Sequence, residues 1–307
     1  MVVITGGSRG LGLVLARELA DEGARLLLLA RDEDELARAE GELRARGARV
    51  ATFKCDVGRS VQAQSAVAHA VETYGGIDVL INNAGIIQAG PLDHMTPDDF
   101  EQCMAVHFWG PLHLVLAALP HLRRRGGGRI VNIASIGGRL AFPHLLPYTA
   151  SKFALVGLSE GLHHELRREG IFITTVCPGL MRTGGHLRAF FKGRHEREFA
   201  WFALASATPV MSMRVRRAAR RILAACRRGE ADLVLTAPAR LGVIAHGLLP
   251  ETTALALRLV ARLLPKPSPR PEADRPRPGL ASRPRWLPRL LTVLADRASA
   301  RNNELPA

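Results

Sequence analysis

The stretch Val2 to Gly12, VVITGGSRGLG, decides the fold. A short apolar run breaks directly into a glycine-rich turn, and a helical pattern begins before the turn ends. Gly6, Gly10 and Gly12 permit a tight turn, close approach of the backbone to a diphosphate, and close packing of helix on strand. The helix N-terminus adds unpaired N–H groups and partial positive charge. Glycine-rich turns also join strands to helices without any chemical role. Position raises this one, at the first strand, first turn and first helix, to a candidate dinucleotide cradle of Gly6, Ser8, Arg9, Gly10, Leu11 and Gly12.

Outward from this unit, apolar runs of strand length alternate with helical patterns. The runs are Val2–Ile4, Leu26–Leu29, Val50–Lys54, Val79–Ile81, Ile130–Ala134, Ile171–Val176 and Leu233–Thr236. Helical patterns lie between them, one opening at Thr96-Pro97 with Asp98 and Asp99 in its first turn. Seven strands alternating with helices predict an α/β fold: a doubly wound, Rossmann-like parallel sheet with helices on both faces and ligands at the carboxyl ends of its strands. This domain spans residues 1–236, with a variable substrate lid at about 184–212.

Beyond Thr236 the pattern changes. Residues 237–264 read as an amphipathic helical extension, interrupted by Pro250, Glu251, Arg258 and Arg262 and therefore a poor membrane span. Residues 265–285, rich in Pro and Arg, bury too little apolar surface to offset their ordering entropy and are expected to form a flexible linker. An apolar segment and tail follow at 286–307.

The formal charge is +14 among 307 residues, and its placement matters more than its size. Residues 187–307 hold 23 Lys/Arg against 9 Asp/Glu, so the first 186 residues are neutral and the excess is C-terminal. That argues against a nucleic-acid-reading domain. Only four of the 42 basic residues are lysine, so arginine-rich coding accounts for much of the excess. Contact with anionic lipid heads or an acidic partner is the sharper reading. Four scattered cysteines without a CxxC pair fit reduced thiols in a cytoplasmic protein, and no signal-peptide pattern precedes the first strand. The histidines lack ligand spacing, so no metal is expected.

About 20 residues past the cradle, where a carboxylate commonly meets an NAD ribose, stand Ala30 and Arg31. Arg9 and Arg31 can pair with a 2′-phosphate that a carboxylate would repel, which favours NADP(H) over NAD(H). The plainer reading has Arg31 opening a solvated helix, and the neighbouring Asp32 leaves room for NAD(H).

The chain has only two tyrosines, and one stands in YTASK, Tyr148 to Lys152. At i,i+4 the two side chains share a helical face, and the cation is expected to lower the tyrosine pKa toward working pH. Such a phenol can protonate an incipient alkoxide. The pair alone could be a surface contact. Ser135, at the end of the strand IVNIAS, adds a hydroxyl at the carboxyl edge that can donate to a carbonyl oxygen.

Together these motifs resemble the short-chain dehydrogenase/reductase family over about Val2 to Thr236. They come in family order: TGGSRGLG, Asp56-Val57, NNAG at Asn82–Gly85, Ser135, YTASK, and PGLMRT at Pro178–Thr183. The resemblance implies hydride transfer between nicotinamide and a carbonyl or secondary alcohol. Tyr148 would be acid/base, Ser135 would polarise the substrate oxygen, and Lys152 would hold the ribose. It further implies Asp56 and Val57 at the adenine, Asn82 near the ribose, and Asn83, Ala84 and Gly85 beneath the cofactor. Pro178, Gly179 and Thr183 would border the nicotinamide. One position departs from the family: His107, in VHFWG, stands where Asn commonly holds a relay water. Either His107 replaces it in the relay, which is the reading preferred here, or the relay is impaired.

The segment between Thr183 and Met213 carries Phe190, Phe191, Phe199, Trp201 and Phe202. Some must be core, but an aromatic lid favours an apolar ketone as substrate. A competing reading is a catalytically weak NADP-binding protein docked to a partner or membrane surface by its cationic extension. A homo-oligomer is usual for the family.

Overall fold

The computed structural model describes residues 1–208 and 211–305. Pro209 and Val210, inside the expected lid, and Pro306 and Ala307, at the end of the tail, lie outside the described residues.

The seven expected strands form one parallel sheet. They are β1 (Val2–Thr5), β2 (Leu26–Ala30), β3 (Val50–Lys54), β4 (Val79–Asn82), β5 (Gly128–Ile133), β6 (Ile171–Cys177) and β7 (Asp232–Val234). Their order is β3-β2-β1-β4-β5-β6-β7, so the chain reverses direction across the sheet between β1 and β4. That reversal opens a crevice at the carboxyl edge, where the cradle and Asn83 lie. Leu26, Leu27, Leu28 and Leu29 are all buried, as expected for a strand covered on both faces.

Helices α1 (Gly10–Ala20) and α2 (Glu33–Ala45) pack on one face. Helix α3 (Ser60–Tyr74) packs on the other, with the long helical stretch of α4 (Pro97–Met104), a π-helical turn at Ala105–Trp109, and α5 (Gly110–Arg124). Thr96 and Asp99 form a reciprocal capping box at the start of α4, and Pro97 takes the first-turn position where no N–H is needed. The stretch Pro97–Arg124 is long and apolar enough to cross a membrane. Here Leu114, Val115, Ala118 and Leu122 bury it in the core instead. Helix α6 (Leu146–Leu166) completes this face.

Helix α7 (His195–Ala207) lies over the carboxyl edge, and α8 (Val215–Arg228) returns to the α1 face. On α8, Ala218, Ala219, Ile222 and Leu223 point inward, while Arg216 and Arg220 both pair with Glu18 of α1. The arginines of α8 thus form a largely solvated face, two of them braced by the Glu18 carboxylate.

The extension differs from its expected organisation in two ways. Residues 237–264 form a hairpin of two helices, α9 (Ala237–Leu248) and α10 (Pro250–Leu263), because Pro250 starts a new helix instead of continuing the first. No residue of α10 is buried. Residues 265–285, expected to be a flexible linker, lie against the domain. Ala273 is buried, Gly193 N–H donates to its carbonyl at 2.8 Å, and Arg277–Pro278 pair with Phe190–Phe191. His94 accepts from Ser268 N–H at 3.0 Å and meets the Asp274 carboxylate at 2.6 Å. The entropy argument fails here because the segment borrows the domain's apolar surface and hydrogen-bonding groups in place of a core of its own. Helix α11 (Arg289–Arg301) then packs along α7.

Candidate active site

A cavity of about 1220 Å³ runs along the carboxyl edge from the glycine loop to the lid. Gly6 and Gly10 sit at φ of +60° and +57°, the left-handed region that a side chain strains to enter. A Cβ on Gly12 would overlap the Gly6 carbonyl and lie 2.7 Å from Asn83 Nδ2, so Gly12 sets the helix–strand approach without lining the cavity itself. Asn83 braces the loop from β4. Its amide donates to Thr5 O at 2.9 Å, and Thr5 Oγ1 accepts from the N–H groups of Asn83 and Ala84 at 2.8 Å each.

Gly6, Ser8, Arg9, Gly10, Leu11, Arg31, Asp56, Val57, Asn83, Ala84 and Gly85 all line the cavity, as do Pro178, Gly179 and Thr183. Asn82, expected near the ribose, does not. It is buried at the end of β4, donating to Asn132 Oδ1 at 2.8 Å, and Asn132 donates to Ser159 at 3.0 Å. Its side chain ties β4 to β5 because alternate residues of a strand face opposite sides of the sheet.

Glu35 was not singled out in the sequence. Arg9 Nη1 donates to its carboxylate at 2.7 Å, Ser8 Oγ at 3.2 Å, and Arg188 Nη2 lies 2.9 Å away. Arg9 is therefore already held by an acid, while Arg31 is exposed and unpaired among the described ion pairs.

Ser135, Tyr148, Lys152 and His107 meet on one wall. Ser135 ends the β5 segment, and its Oγ accepts the Gly137 N–H at 3.0 Å, which leaves its proton to donate into the cavity. Tyr148 and Lys152 share a face of α6, with Lys152 Nζ 5.8 Å from the phenol ring centroid and donating to Ile133 O at 2.8 Å. The expected lowering of the tyrosine pKa is not what these surroundings give. Burial pushes the Tyr148 phenol up to about 12 against the opposing hydrogen bond with Ser135, and pushes the Lys152 ammonium down to about 8. Both charged forms lose solvation in the same dry wall, and the ammonium is aimed at the Ile133 carbonyl.

His107 sits within the π-helical turn and is buried. Its Nε2 accepts the Ile86 N–H at 3.1 Å, which fixes the proton on Nδ1, 2.8 Å from Ser151 Oγ. Ser151 in turn donates to Tyr148 O at 2.8 Å. Burial and the Lys152 charge hold the ring well below its usual 6.5. Both ring nitrogens thus bond protein groups, an arrangement that braces Ile86 and Ser151.

The lid aromatics divide. Phe191 and Phe199 are buried core, whereas Phe190, Trp201 and Phe202 line the cavity beside Leu140, Phe142 and Leu145. The extension supplies further wall, with Val260 and Leu264 from the hairpin side, Pro278 and Leu280 from the segment after it, and Glu304 and Leu305 from the tail. A boundary at 236 therefore cuts through the site.

A family model described as short chain dehydrogenase matches residues 1–189. The chain belongs to that family, and is an oxidoreductase acting between CH–OH and C=O groups. It is 39% identical over 189 residues to the granaticin polyketide synthase putative ketoacyl reductase 1 of Streptomyces violaceoruber, covering 60% of this chain and 68% of that one. It is also 39% identical over 182 residues to the oxidoreductase UcpA of Salmonella typhimurium, covering 59% and 69%. Among solved structures it is similar to a short-chain dehydrogenase from Streptomyces avermitilis, with TM-score 0.72, 29% identity, and 85% and 98% of the two chains covered. It is similar too to an actinorhodin polyketide ketoreductase variant with NADPH, with TM-score 0.69, 30% identity, and 76% and 95% covered. The matched portion ends within the lid, so the extension has no part in the family match.

Proposed function

We propose that the chain is an NADP(H)-dependent reductase of an apolar ketone. The observation that carries this is one continuous cavity joining the glycine loop to the Ser135–Tyr148–Lys152 wall beneath apolar lid side chains. Arg31, exposed at the end of β2, is the residue assigned to the 2′-phosphate, with Arg9 beside it. The tight Gly6–Gly12 turn and the N-terminus of α1 fit a diphosphate.

When bound, the nicotinamide supplies the hydride. Ser135 donates a hydrogen bond to the carbonyl oxygen, keeping its proton, and polarises it. Tyr148, protonated throughout the working range, gives its phenolic proton to the oxygen as charge develops there. Lys152 holds its ammonium at the inner end of the wall and is assigned to the ribose. Phe190, Trp201, Phe202 and Phe142 exclude water and favour an apolar body of substrate. The similarity to ketoacyl and polyketide reductases supports a ketone of that class.

The test is oxidation of NADPH with a panel of apolar ketones. Tyr148→Phe should lower kcat by about 10²- to 10⁴-fold while NADPH affinity is kept. Tight NADPH binding without turnover across the panel would favour the catalytically weak reading instead.

A second reading concerns where the reductase works, and the α9–α10 hairpin motivates it. Leu241, Ile244 and Leu248 on α9, and Leu255, Leu259 and Leu263 on α10, are exposed, Leu263 by 86%. Arg258 and Arg262 lie beside the second row, and Val260 and Leu264 reach the cavity. Such a surface can lie on anionic lipid at the cytoplasmic face with the cavity mouth toward the membrane. Co-sedimentation with anionic vesicles should weaken when Leu255, Leu259 and Leu263 become Ser. Unchanged binding removes the hairpin from any such role.

A further inference from the structure

Residues Asn302–Glu304 of the tail lie inside the glycine cradle. Helix α11 buries Ala295 and Ser299 and delivers Asn302, Asn303 and Glu304 to the N-terminus of α1. Gly10 N–H donates to Asn302 O at 2.9 Å. The Asn303 amide donates to Ser8 O at 2.9 Å and Glu35 O at 3.2 Å, and its Oδ1 accepts from Arg38 Nε at 2.9 Å. Asn303 adopts φ of +56°, a conformation Asn tolerates better than most residues, and this turns the chain back into the site. The Glu304 carboxylate accepts the Gly184 N–H, directly after Thr183, and its other oxygen lies where a Cβ on Gly10 would meet it at 2.9 Å. Arg188 Nε donates to Glu304 O at 2.7 Å, and Arg17 holds Asn302 Oδ1 at 2.8 Å and Arg301 O at 2.9 Å.

These contacts use groups suited to a cofactor. A helix N-terminus with glycine at its first residue offers N–H groups to phosphate oxygens; here the Asn302 carbonyl takes the first of them and a Glu304 carboxyl oxygen takes the Gly184 N–H. Mere packing of a tail would not require the first N–H of α1, the backbone of Ser8 and the N–H after Thr183 together.

We propose that Asn302–Glu304 is a built-in occupant of the diphosphate cradle, with the Asn302 carbonyl and the Glu304 carboxyl filling the places of phosphate oxygens, so that tail and cofactor exclude one another. The proposal rests on the NADP(H) reading of the cradle. Its consequence is a tax on cofactor affinity: NADPH binds only the fraction of molecules whose tail has left.

The test is NADPH titration, followed by nicotinamide fluorescence, of the full chain and of its Glu304→Ala variant. The variant should bind about tenfold tighter or more at pH 5.5, because the docked tail would then leave the Gly184 N–H without its acceptor. Hydrogen exchange on the unaltered full chain gives a second readout that needs no variant. Saturating NADPH should raise exchange at Asn302–Leu305. Equal affinities, with a tail that stays protected in the presence of NADPH, would overturn the tail's role while leaving the cofactor reading intact. Failure of both chains to bind NADPH would overturn the cofactor reading, and the competition with it.

Discussion

Replacing His107 separates a brace from a proton relay. The ring makes two bonds: it accepts the Ile86 N–H at 3.1 Å and meets Ser151 Oγ at 2.8 Å through Nδ1. In His107→Ala the Ile86 N–H loses its acceptor, at roughly 1–3 kcal/mol, and the Ser151 contact is lost for about 1 kcal/mol more. The space left by a buried ring adds to this, so the total loss is roughly 3–5 kcal/mol. His107→Asn can keep one of the two bonds and should lose about 1–2 kcal/mol. Urea denaturation of the three chains measures these differences.

The kinetic side is independent of that ledger. Burial and the Lys152 charge disfavour the protonated ring, so it should contribute no inflection to kcat/KM near the ordinary histidine pKa. His107→Asn should keep kcat within about threefold or raise it, since neither ring nitrogen is free to pass a proton. An inflection near the ordinary histidine pKa that disappears in His107→Asn, with a large fall in kcat and intact NADPH binding, would refute the bracing role. A loss under about 1 kcal/mol in His107→Ala would refute the accounting.

Three further outcomes are expected. Arg31→Glu should weaken NADPH by at least about tenfold and leave NADH little changed, because it removes an exposed cation that takes part in no ion pair among the described residues; equal losses for both cofactors would remove Arg31 from the 2′-site. Gly12→Ala should abolish cofactor binding and lower Tm, since its Cβ would overlap backbone and not a mobile side chain; a variant of wild-type Tm and affinity would contradict that clash. Burial raises the Glu304 carboxyl from 4.5 to about 7 against Gly184 N–H, Arg9 and Arg188, with Glu35 adding to the rise, so docking of the tail takes up a proton. Docking is then fully favoured below pH 4.5, weakens by up to about tenfold per unit as pH rises toward about 7, and levels off above it. The affinity advantage of Glu304→Ala for NADPH should shrink from pH 5.5 to about 7; an advantage independent of pH would exclude titration of Glu304.

What was legible in the sequence followed from local rules. A parallel strand covered on both faces reads as an apolar run, so Leu26–Leu29 announced itself, and the glycine turn after β1 located the crevice. Ser135, Tyr148 and Lys152 were legible because motif order fixed their strand and helix ends. Their ionisation was not, since it depends on burial and on the direction of the Lys152 ammonium, neither of which i,i+4 spacing determines. Asn82 and Asn83 show the same limit at one-residue scale: adjacent residues at a strand end face opposite ways, and only Asn83 reaches the loop. Residues 265–285 failed for the opposite reason. Composition judged whether the segment could build a core, whereas the fold asked only that Ala273 and Arg277–Pro278 find one already built.

The buried acid Glu35 links these observations. Arg9 and Arg188 converge on its carboxylate, so these two guanidiniums are partly neutralised, and Arg31 has no ion pair among the described residues. At Glu304, burial and the Glu35 charge outweigh Arg9, Arg188 and the Gly184 N–H, so the tail docks best as a neutral acid. A dinucleotide with a diphosphate and a 2′-phosphate brings more negative charge and also engages Arg31, which the tail does not touch through any described ion pair or side-chain hydrogen bond. Competition between them is therefore decided at Arg31 as much as at Gly10. Arg31→Ala should leave tail docking intact while weakening NADPH, so that hydrogen exchange at Asn302–Leu305 stays low at NADPH concentrations that release the tail of the unaltered chain. Release at the same concentration in both chains would show that the diphosphate alone decides the exchange.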